Sequence, residues 1–322
     1  MTQDPKASPE STGESRTFWI GMALSLGSSV LWGSTYTVIE VGLKYYNPYQ
    51  ISFLRALFAT LTLLAVYVFN RKTGELLVLP KDRLNWGLFV SASFLGSAGF
   101  WTLLNLSVQY LKADTASFVT ALYPLIAVVL ASVVLKEKMT FGRAAGVLIG
   151  IFGAYLIVAF GENAKIAGAQ PLIGILIALV TAFSFGGYII VSRILIGRKD
   201  TKSGLTFSAT YVTLVTFAIA IIPTLLFAIA SAPFNSLFNT NATAIFAILY
   251  LGIGSSGIAF LIFNMGMKIV GAGRAAVNQL LFPVVSIVTS FFVLKETINL
   301  PDGLGIFLIL FGILVAQRIR LR

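Results

Sequence analysis

The sequence predicts an all-α polytopic membrane protein: ten transmembrane helices arranged as two inverted five-helix repeats. Three observations lead there. First, 57% of the 322 residues are hydrophobic and 11% are charged, with a mean hydropathy of +0.90. Apolar runs of about twenty residues, enough to cross roughly 30 Å of hydrocarbon as helix, follow one another closely. Second, the stretch Ala113–Glu137 returns 159 positions later without a gap. Ala116 meets Ala275, Leu122 meets Leu281 and Pro124 meets Pro283, and Val134-Leu135-Lys136-Glu137 meets Val293-Leu294-Lys295-Glu296. The same offset links Asn105 to Asn264, Gly146 to Gly305, and Phe152-Gly153 to Phe311-Gly312. A repeat of this length governs the reading of the whole chain. Third, the basic residues are distributed unequally between alternate loops. Eighteen lie on the side of the N-terminus and four, Lys44, Lys112, Lys165 and Lys295, on the other, with Arg55 inside a span.

Residues 1–17 are polar and rich in Pro, Ser, Glu and Gly, and read as a disordered cytoplasmic tail. They do not form a signal peptide, because the apolar run from Phe18 is too long and lacks a small-residue cleavage site. The spans expected are 18–40, 49–69, 85–109, 113–135 and 141–160, then 171–192, 204–230, 243–267, 272–294 and 303–317. They group into a first repeat at 18–160 and a second at 171–317, with loops too short for a soluble domain. An even number of spans puts both termini on one side, and the excess of Lys and Arg there makes that side cytoplasmic. The expected location is the plasma membrane of a prokaryote.

The fourth and ninth spans of this series are twins separated by an odd number of helices, so they run in opposite directions. Inverted repeats of this kind recur in secondary transporters, where the solute site lies near mid-membrane between the halves. Composition narrows the chemistry further. Cysteine and histidine are absent, which removes disulfides, thiolate metal sites and the usual general base. The net charge of +11 is explained by cytoplasmic loops, and no base-reading motif suggests a nucleic-acid partner. No phosphate-binding or dinucleotide-binding fingerprint stands out, and no cofactor or metal is expected.

Several intramembrane positions are candidates for function. Pro124 and Pro283 each remove a hydrogen bond to the carbonyl four residues earlier, those of Thr120 and Gln279. A freed carbonyl in hydrocarbon must find a partner or face a protected cavity. Thr120, Tyr123, Asn278 and Gln279 beside the two kinks are therefore candidate solute contacts. Trp32 lies away from the interfacial belts where tryptophan concentrates, and joins them with Tyr36, Trp101 and Tyr188. Trp101 shares a helix face with Asn105. Arg55, a charge inside a span, must face protein or water. Glu40 ends the preceding antiparallel helix at similar depth and is its expected partner, a pairing sufficient to explain Arg55 without any solute. Glu137 and Glu296 read as interfacial side chains bonding backbone or basic groups.

The motifs resemble those of a known family. Trp32-Gly33-Ser34-Thr35-Tyr36, Phe53-Leu54-Arg55-Ala56, Tyr123-Pro124, Lys136-Glu137, Gly146 and Phe152-Gly153 are similar to an EamA-type repeat of the drug/metabolite transporter superfamily. The likeness covers the chain from about Phe18 to Ala316. It implies ten helices in two repeats and movement of a small metabolite, often an amino acid and often outward, without ATP hydrolysis. The second copy departs at its start, where Phe185-Gly186-Gly187-Tyr188 stands for the Trp-Gly-Ser form and no arginine recurs.

The function expected is therefore a secondary transporter that exports a small metabolite by alternating access. Its partners are a small-molecule solute and the lipid bilayer, with the oligomeric state open and a monomer sufficient. The absence of a carboxylate at the centre of any span argues against strong proton coupling. Two alternatives belong to other classes. An intramembrane enzyme acting on a lipid-linked group would need a cluster of reactive side chains at one depth. A membrane scaffold would move no solute at all.

Overall fold

The computed structural model describes residues 9–70, 79–111, 113–160, 171–238, 241–293, 295 and 299–317. They are helical almost throughout, and β pairing among them amounts to an isolated bridge between Lys199 and Thr206. Among the described residues, seven helical segments are long and apolar enough to cross a bilayer, and Phe141–Gly153 and Gly303–Ala316 are shorter apolar stretches. The chain is a multi-pass membrane protein.

The first helix, α1, runs Pro9–Gly42, so it begins well before the expected span. Part of the segment read as a disordered tail is thus helical. Proline is well placed at a first helical turn, and extending a helix already nucleated costs little. Residues 1–8 lie outside the described residues. Next come α2 (Pro48–Asn70), α3 (Arg83–Ser93) and α4 (Gly99–Leu111). A π-helical turn at Phe94–Ala98 joins α3 to α4 as one rod. The following span is broken into α5 (Ala113–Thr120) and α6 (Tyr123–Val134), and α7 covers Phe141–Phe160.

Beyond these lie α8 (Pro171–Leu195), α9 (Ala209–Ser231), α10 (Ala242–Leu249) and α11 (Ala259–Val270). A second π-helical turn, Tyr250–Ile258, joins α10 to α11. It overlies the first when 159 is added. Then come α12 (Ala272–Asn278), a 3-10 turn at Gln279–Leu281, α13 (Phe282–Val293) and α14 (Leu300–Gln317). Tightening into the 3-10 turn answers the question posed by Pro283, because the N–H of Phe282 donates to the carbonyl of Gln279. Pro124 sits in the first turn of α6, where a missing N–H is harmless. Lys136 closes α6 at φ 55° and Lys295 follows α13 at φ 61°. The N–H of Glu137 reaches back 3.1 Å to the carbonyl of Ala131, which also accepts from Leu135, so a carbonyl of the last turn is satisfied.

Helix contacts come in reciprocal couples. α1 packs on α11 and α4 on α8; α6 packs on α12 and α5 on α13; α7 lies along α14 and α2 along α9. The small residues show how closely the helices approach. A Cβ on Gly146 would fall 2.3 Å from the carbonyl oxygen of Gly312, and one on Gly153 would fall 2.7 Å from that of Gly305. Gly21 seats against Ile269 and Val270, while Gly174 seats against Tyr110 and Leu111. In a bilayer, where burying apolar surface between helices gains little, such backbone approach supplies the packing that holds them.

The loop after α8 is organised by a carboxylate that carries no obvious sequence signal. Asp200 accepts from the backbone N–H groups of Lys81 and Asp82 at 3.1 Å, and from Asn85 Nδ2 at 3.0 Å. Its other oxygen takes the N–H groups of Lys202 and Ser203 at 3.1 and 2.7 Å. Burial alone raises this carboxyl, but the bonds from Asn85, Ser203 and Asp82 outweigh it and hold the group below the ordinary carboxylate range. The entry to α3 is thereby tied to the 195–206 turn.

Candidate functional site

A narrow aromatic cavity lies where α1, α2, α4, α6, α8, α11 and α13 converge. α1 contributes Trp32, Thr35 and Tyr36, which a helical spacing of three and four places on one face. Arg55 enters from α2, Phe100 and Leu104 from α4, and Tyr123 from α6. The remaining wall is apolar: Phe185 of α8, Phe260 of α11 and Phe282 of α13. About 330 Å³ of empty space is thinly spread between these side chains, leaving room for a water molecule rather than a metabolite. In this conformation the cavity does not admit a metabolite-sized molecule.

The rings of the wall are packed against one another. Phe282 is stacked between Tyr36 and Tyr123, with centroids 5.6 Å apart in both pairs. Trp32 meets Phe185 edge-on at 5.2 Å and Phe260 at 4.9 Å. Its indole N–H donates to the carbonyl of Ser255 at 2.8 Å, a group in the second π-helical turn. Irregular backbone at this depth is tolerated because a side chain satisfies it.

Arg55 is the charged group of the cavity and is almost completely buried. Its Nε donates to Ser256 Oγ at 3.0 Å, and its guanidinium lies 5.2 Å from the centroid of the Trp101 ring. A cation over such a face is stabilised by about 0.5–2 kcal/mol. The expected partner is elsewhere: Glu40 accepts the backbone N–H of Ala113 at 2.9 Å, capping α5. No ion pair between Arg55 and Glu40 forms among the described residues. Similar depth was a poor guide, because the exposed N–H at the start of α5 competes successfully for the carboxylate.

The other sequence candidates separate into two groups. Trp101 and Tyr188 stand behind the wall. Trp101 packs on Phe217 at 4.8 Å and on Phe260 at 6.0 Å, and the Tyr188 ring occupies the space a Cβ on Gly96 would need. Thr120, Asn278 and Gln279 do not line the cavity. Thr120 donates to the carbonyl of Ala116 at 2.6 Å. Asn278 donates to Ser25, and Gln279 Nε2 donates to the carbonyl of Ser25 at 2.8 Å and to Ser28 Oγ at 3.1 Å. Ser29 Oγ donates to Gln279 Oε1 at 2.9 Å. These two amides clasp the 3-10 turn to a serine-rich face of α1, which is why they are polar at mid-span.

Asn105 and Asn264 have the same kind of role. The first donates to the carbonyl of Pro48 and to Ser52 at 3.1 and 3.0 Å, the second to Tyr188 and Thr213, both at 2.9 Å. Not picked as candidate contacts in the sequence were Phe185, Phe260 and Phe282. Each is the counterpart of a singled-out residue: Phe260 and Phe282 stand 159 after Trp101 and Tyr123, and Phe185 stands in the second-copy segment that replaces Trp32-Gly33-Ser34.

At one end of the bundle Glu137 bridges its own helix pair to α12. Its two carboxylate oxygens accept the N–H groups of Ala272 and Gly273 at 2.9 and 3.0 Å, with Arg143 3.8 Å away. A carboxylate at a helix N-terminus is typically worth 0.3–1 kcal/mol, and more when partly buried. Glu296, its counterpart, lies outside the described residues. Two larger apolar hollows, one around Phe53, Phe58 and Phe234 and one around Phe118 and Tyr155, contain no charged group. Among the described residues no cluster of three His, Cys, Asp or Glu side chains could hold a metal.

The cavity thus gathers one cation among aromatic and apolar side chains. The EamA-like transporter family matches residues 19–159 and again 172–317. The chain belongs to that family. It is thus a membrane transporter of the EamA type and not an enzyme, with a small-molecule substrate and a lipid environment. Among relatives, the uncharacterized transporter YyaM of Bacillus subtilis is 26% identical over 91% of this chain and 92% of its own. A probable terminal-alkyne amino-acid exporter of Streptantibioticus cattleyicolor is 26% identical over 83% of both chains. A probable amino-acid metabolite efflux pump of Escherichia coli is 24% identical over 91% of this EamA-type chain and 93% of its own. A solved crystal structure shares the fold, with a TM-score of 0.73 at 20% identity over 92% of this chain and 96% of that one.

Proposed function

We propose that this EamA-type protein is a secondary transporter of ten membrane helices in two inverted five-helix repeats, at 18–160 and 171–317, that exports a small metabolite by alternating access. It works in the plasma membrane of a prokaryote with both termini in the cytoplasm. The observation that carries the reading is the composition of the cavity wall. Counterparts from the two halves of the chain meet there or just behind it: Trp32 with Phe185, Tyr123 with Phe282, and Trp101 with Phe260. A site on the axis between inverted halves is the one place that both sides of a membrane can reach in turn.

The reciprocal glycine contacts support the same geometry. Gly146 touches Gly312 and Gly153 touches Gly305, so each member of one pair is the 159-residue counterpart of a member of the other. Such crosswise contact is how an isologous, two-fold interface is recognised. The names of the relatives from Streptantibioticus and Escherichia favour an amino acid or a related metabolite and favour export. The positive-inside bias of the loops supports the orientation.

Counterflow tests the proposal. Liposomes containing the purified protein are loaded with unlabelled amino acids and related metabolites, and labelled tracers are added outside. Accumulation of a tracer without any ion gradient is expected. Folded protein that exchanges nothing across the panel would return the chain to the scaffold reading.

A further inference from the structure

The cavity is unbalanced in hydrogen bonding, and the imbalance has a sign. Arg55 NH1 is buried and has no hydrogen-bond partner among the described residues, although Nε is satisfied by Ser256. Trp101, directly under the guanidinium, carries a second buried N–H without a partner. Among the described carboxylates, Glu40 is engaged by Ala113, Glu137 by Ala272, Gly273 and Arg143, and Asp200 in the 195–206 turn. The buried amide oxygens that lack partners, on Asn105 and Asn264, belong to the interhelical clasps and do not line the cavity. What the cavity leaves open is therefore donor capacity around a full positive charge.

An unpaired buried cation is costly, and a charge inside a membrane protein marks function unless a partner is found. Here the missing partner must accept hydrogen bonds and carry negative charge. The opposite wall fixes the rest of its character. Phe185, Phe260 and Phe282 offer rings and no polar atom, so the remainder of the molecule must be apolar or aromatic. A cationic drug or a simple amine fails on both counts, since it would bring a second positive charge beside the first.

We propose that Arg55 is the anion-binding residue of the transport site, and that the substrate class is a small carboxylic acid, amino acids included, with an apolar or aromatic body. The carboxylate pairs with the open edge of the guanidinium in the charge-assisted manner that arginine favours, and the body packs between Phe185, Phe260 and Phe282. This inference rests on the transport reading and narrows it: the acid group is obligatory, the amino group is not.

The test uses the detergent-purified full chain in chloride-free buffer, following intrinsic fluorescence, because Trp32 and Trp101 form or back the wall. Three matched probes are titrated: 3-phenylpropionate, phenylalanine and phenethylamine. Saturable responses to both acids are expected, with the amine weaker by about tenfold or more, as the loss of a buried charge pair implies. Arg55→Gln should abolish the preference and Arg55→Lys should keep part of it. The inference is overturned if wild type binds the amine as well as the acids, gives no saturable response to either acid, or if Arg55→Gln retains the discrimination. The wild-type comparison stands even where a variant fails to fold. Counterflow separates the two readings. Exchange of panel solutes without acid preference sinks this inference and keeps transport, whereas acid binding with no exchange sinks transport and keeps the site.

Discussion

Tyr123 and Phe282, 159 positions apart in the chain, stack on each other with ring centroids 5.6 Å apart and planes 8° from parallel. Counterparts in a duplicated sequence usually sit far apart, each in its own half. Here they are direct neighbours, as the proposed inverted arrangement expects of positions near its axis. The contact should be energetically coupled. Tyr123→Ala and Phe282→Ala are each expected to destabilise the protein by several kcal/mol, as large-to-small changes in a packed core do. The double variant should cost about 0.5–1.5 kcal/mol less than the sum, the worth of an aromatic pair beyond its area. Thermal unfolding in detergent measures the cycle; strict additivity would mean the rings do not interact.

The α7–α14 contact predicts a contrast between two glycines. Gly146→Ala places a methyl 2.3 Å from the carbonyl oxygen of Gly312 and should force the helices apart, lowering the melting temperature. Gly87→Ala in α3 meets nothing within 4 Å and should raise stability by roughly 0.5–1 kcal/mol through helix propensity alone. Equal effects at the two sites would remove the backbone contact from the account.

Glu137 predicts an accessibility change. The chain has no cysteine, so a single introduced thiol reports without background. Val277 is buried in α12, and Val277→Cys should react slowly with a membrane-impermeant maleimide. Adding Glu137→Ala frees the N-terminus of α12 and should speed labelling several-fold. Unchanged labelling would make the carboxylate a passive cap.

Asp200 predicts a pH dependence. Its carboxyl is held below the ordinary range in the folded protein, so the stability it confers is present above the unfolded value near about 4 and is lost as pH falls toward the folded value. Asp200→Asn should therefore lower the melting temperature at pH 7, and the gap to wild type should narrow below about pH 4. A constant gap down to pH 3 would show that hydrogen bonding alone, without charge, explains the loop.

Much of this architecture can be read in the residues, and the failures have a physical pattern. The repeat is visible because identical side chains recur without a gap, and Trp32, Tyr36 and Tyr123 could be found because aromatic groups with polar atoms are conspicuous at mid-span. Phe185, Phe260 and Phe282 could not be picked directly from 26 phenylalanines in an apolar chain. Applying the offset to Trp101 and Tyr123 would have found the last two. Asn278 and Gln279 misled because an amide in a membrane helix needs a partner, and a uniformly apolar helix does not disclose whether that partner is a solute or the serines of α1. Arg55 and Glu40 matched in depth but not in direction, a quantity that depends on how α1, α2 and α5 are turned about their axes.

One asymmetry of the wall remains to be followed to its end. Wherever counterparts meet, the first half supplies the ring with a polar atom and the second half supplies phenylalanine: Trp32 and Phe185, Tyr123 and Phe282, Trp101 and Phe260. On the proposed mechanism, a cargo bound through Arg55 would keep its head against the first half and so meet the two membrane faces differently. Detailed balance forbids this from concentrating anything by itself, since the ratio of forward to reverse flux at equilibrium is set by concentrations alone. It does permit half-saturation constants that differ between the two faces, provided the maximal velocities differ in the same proportion. A vesicle preparation of uniform orientation would display that asymmetry as equal fluxes in the two directions at low solute and unequal fluxes at saturation.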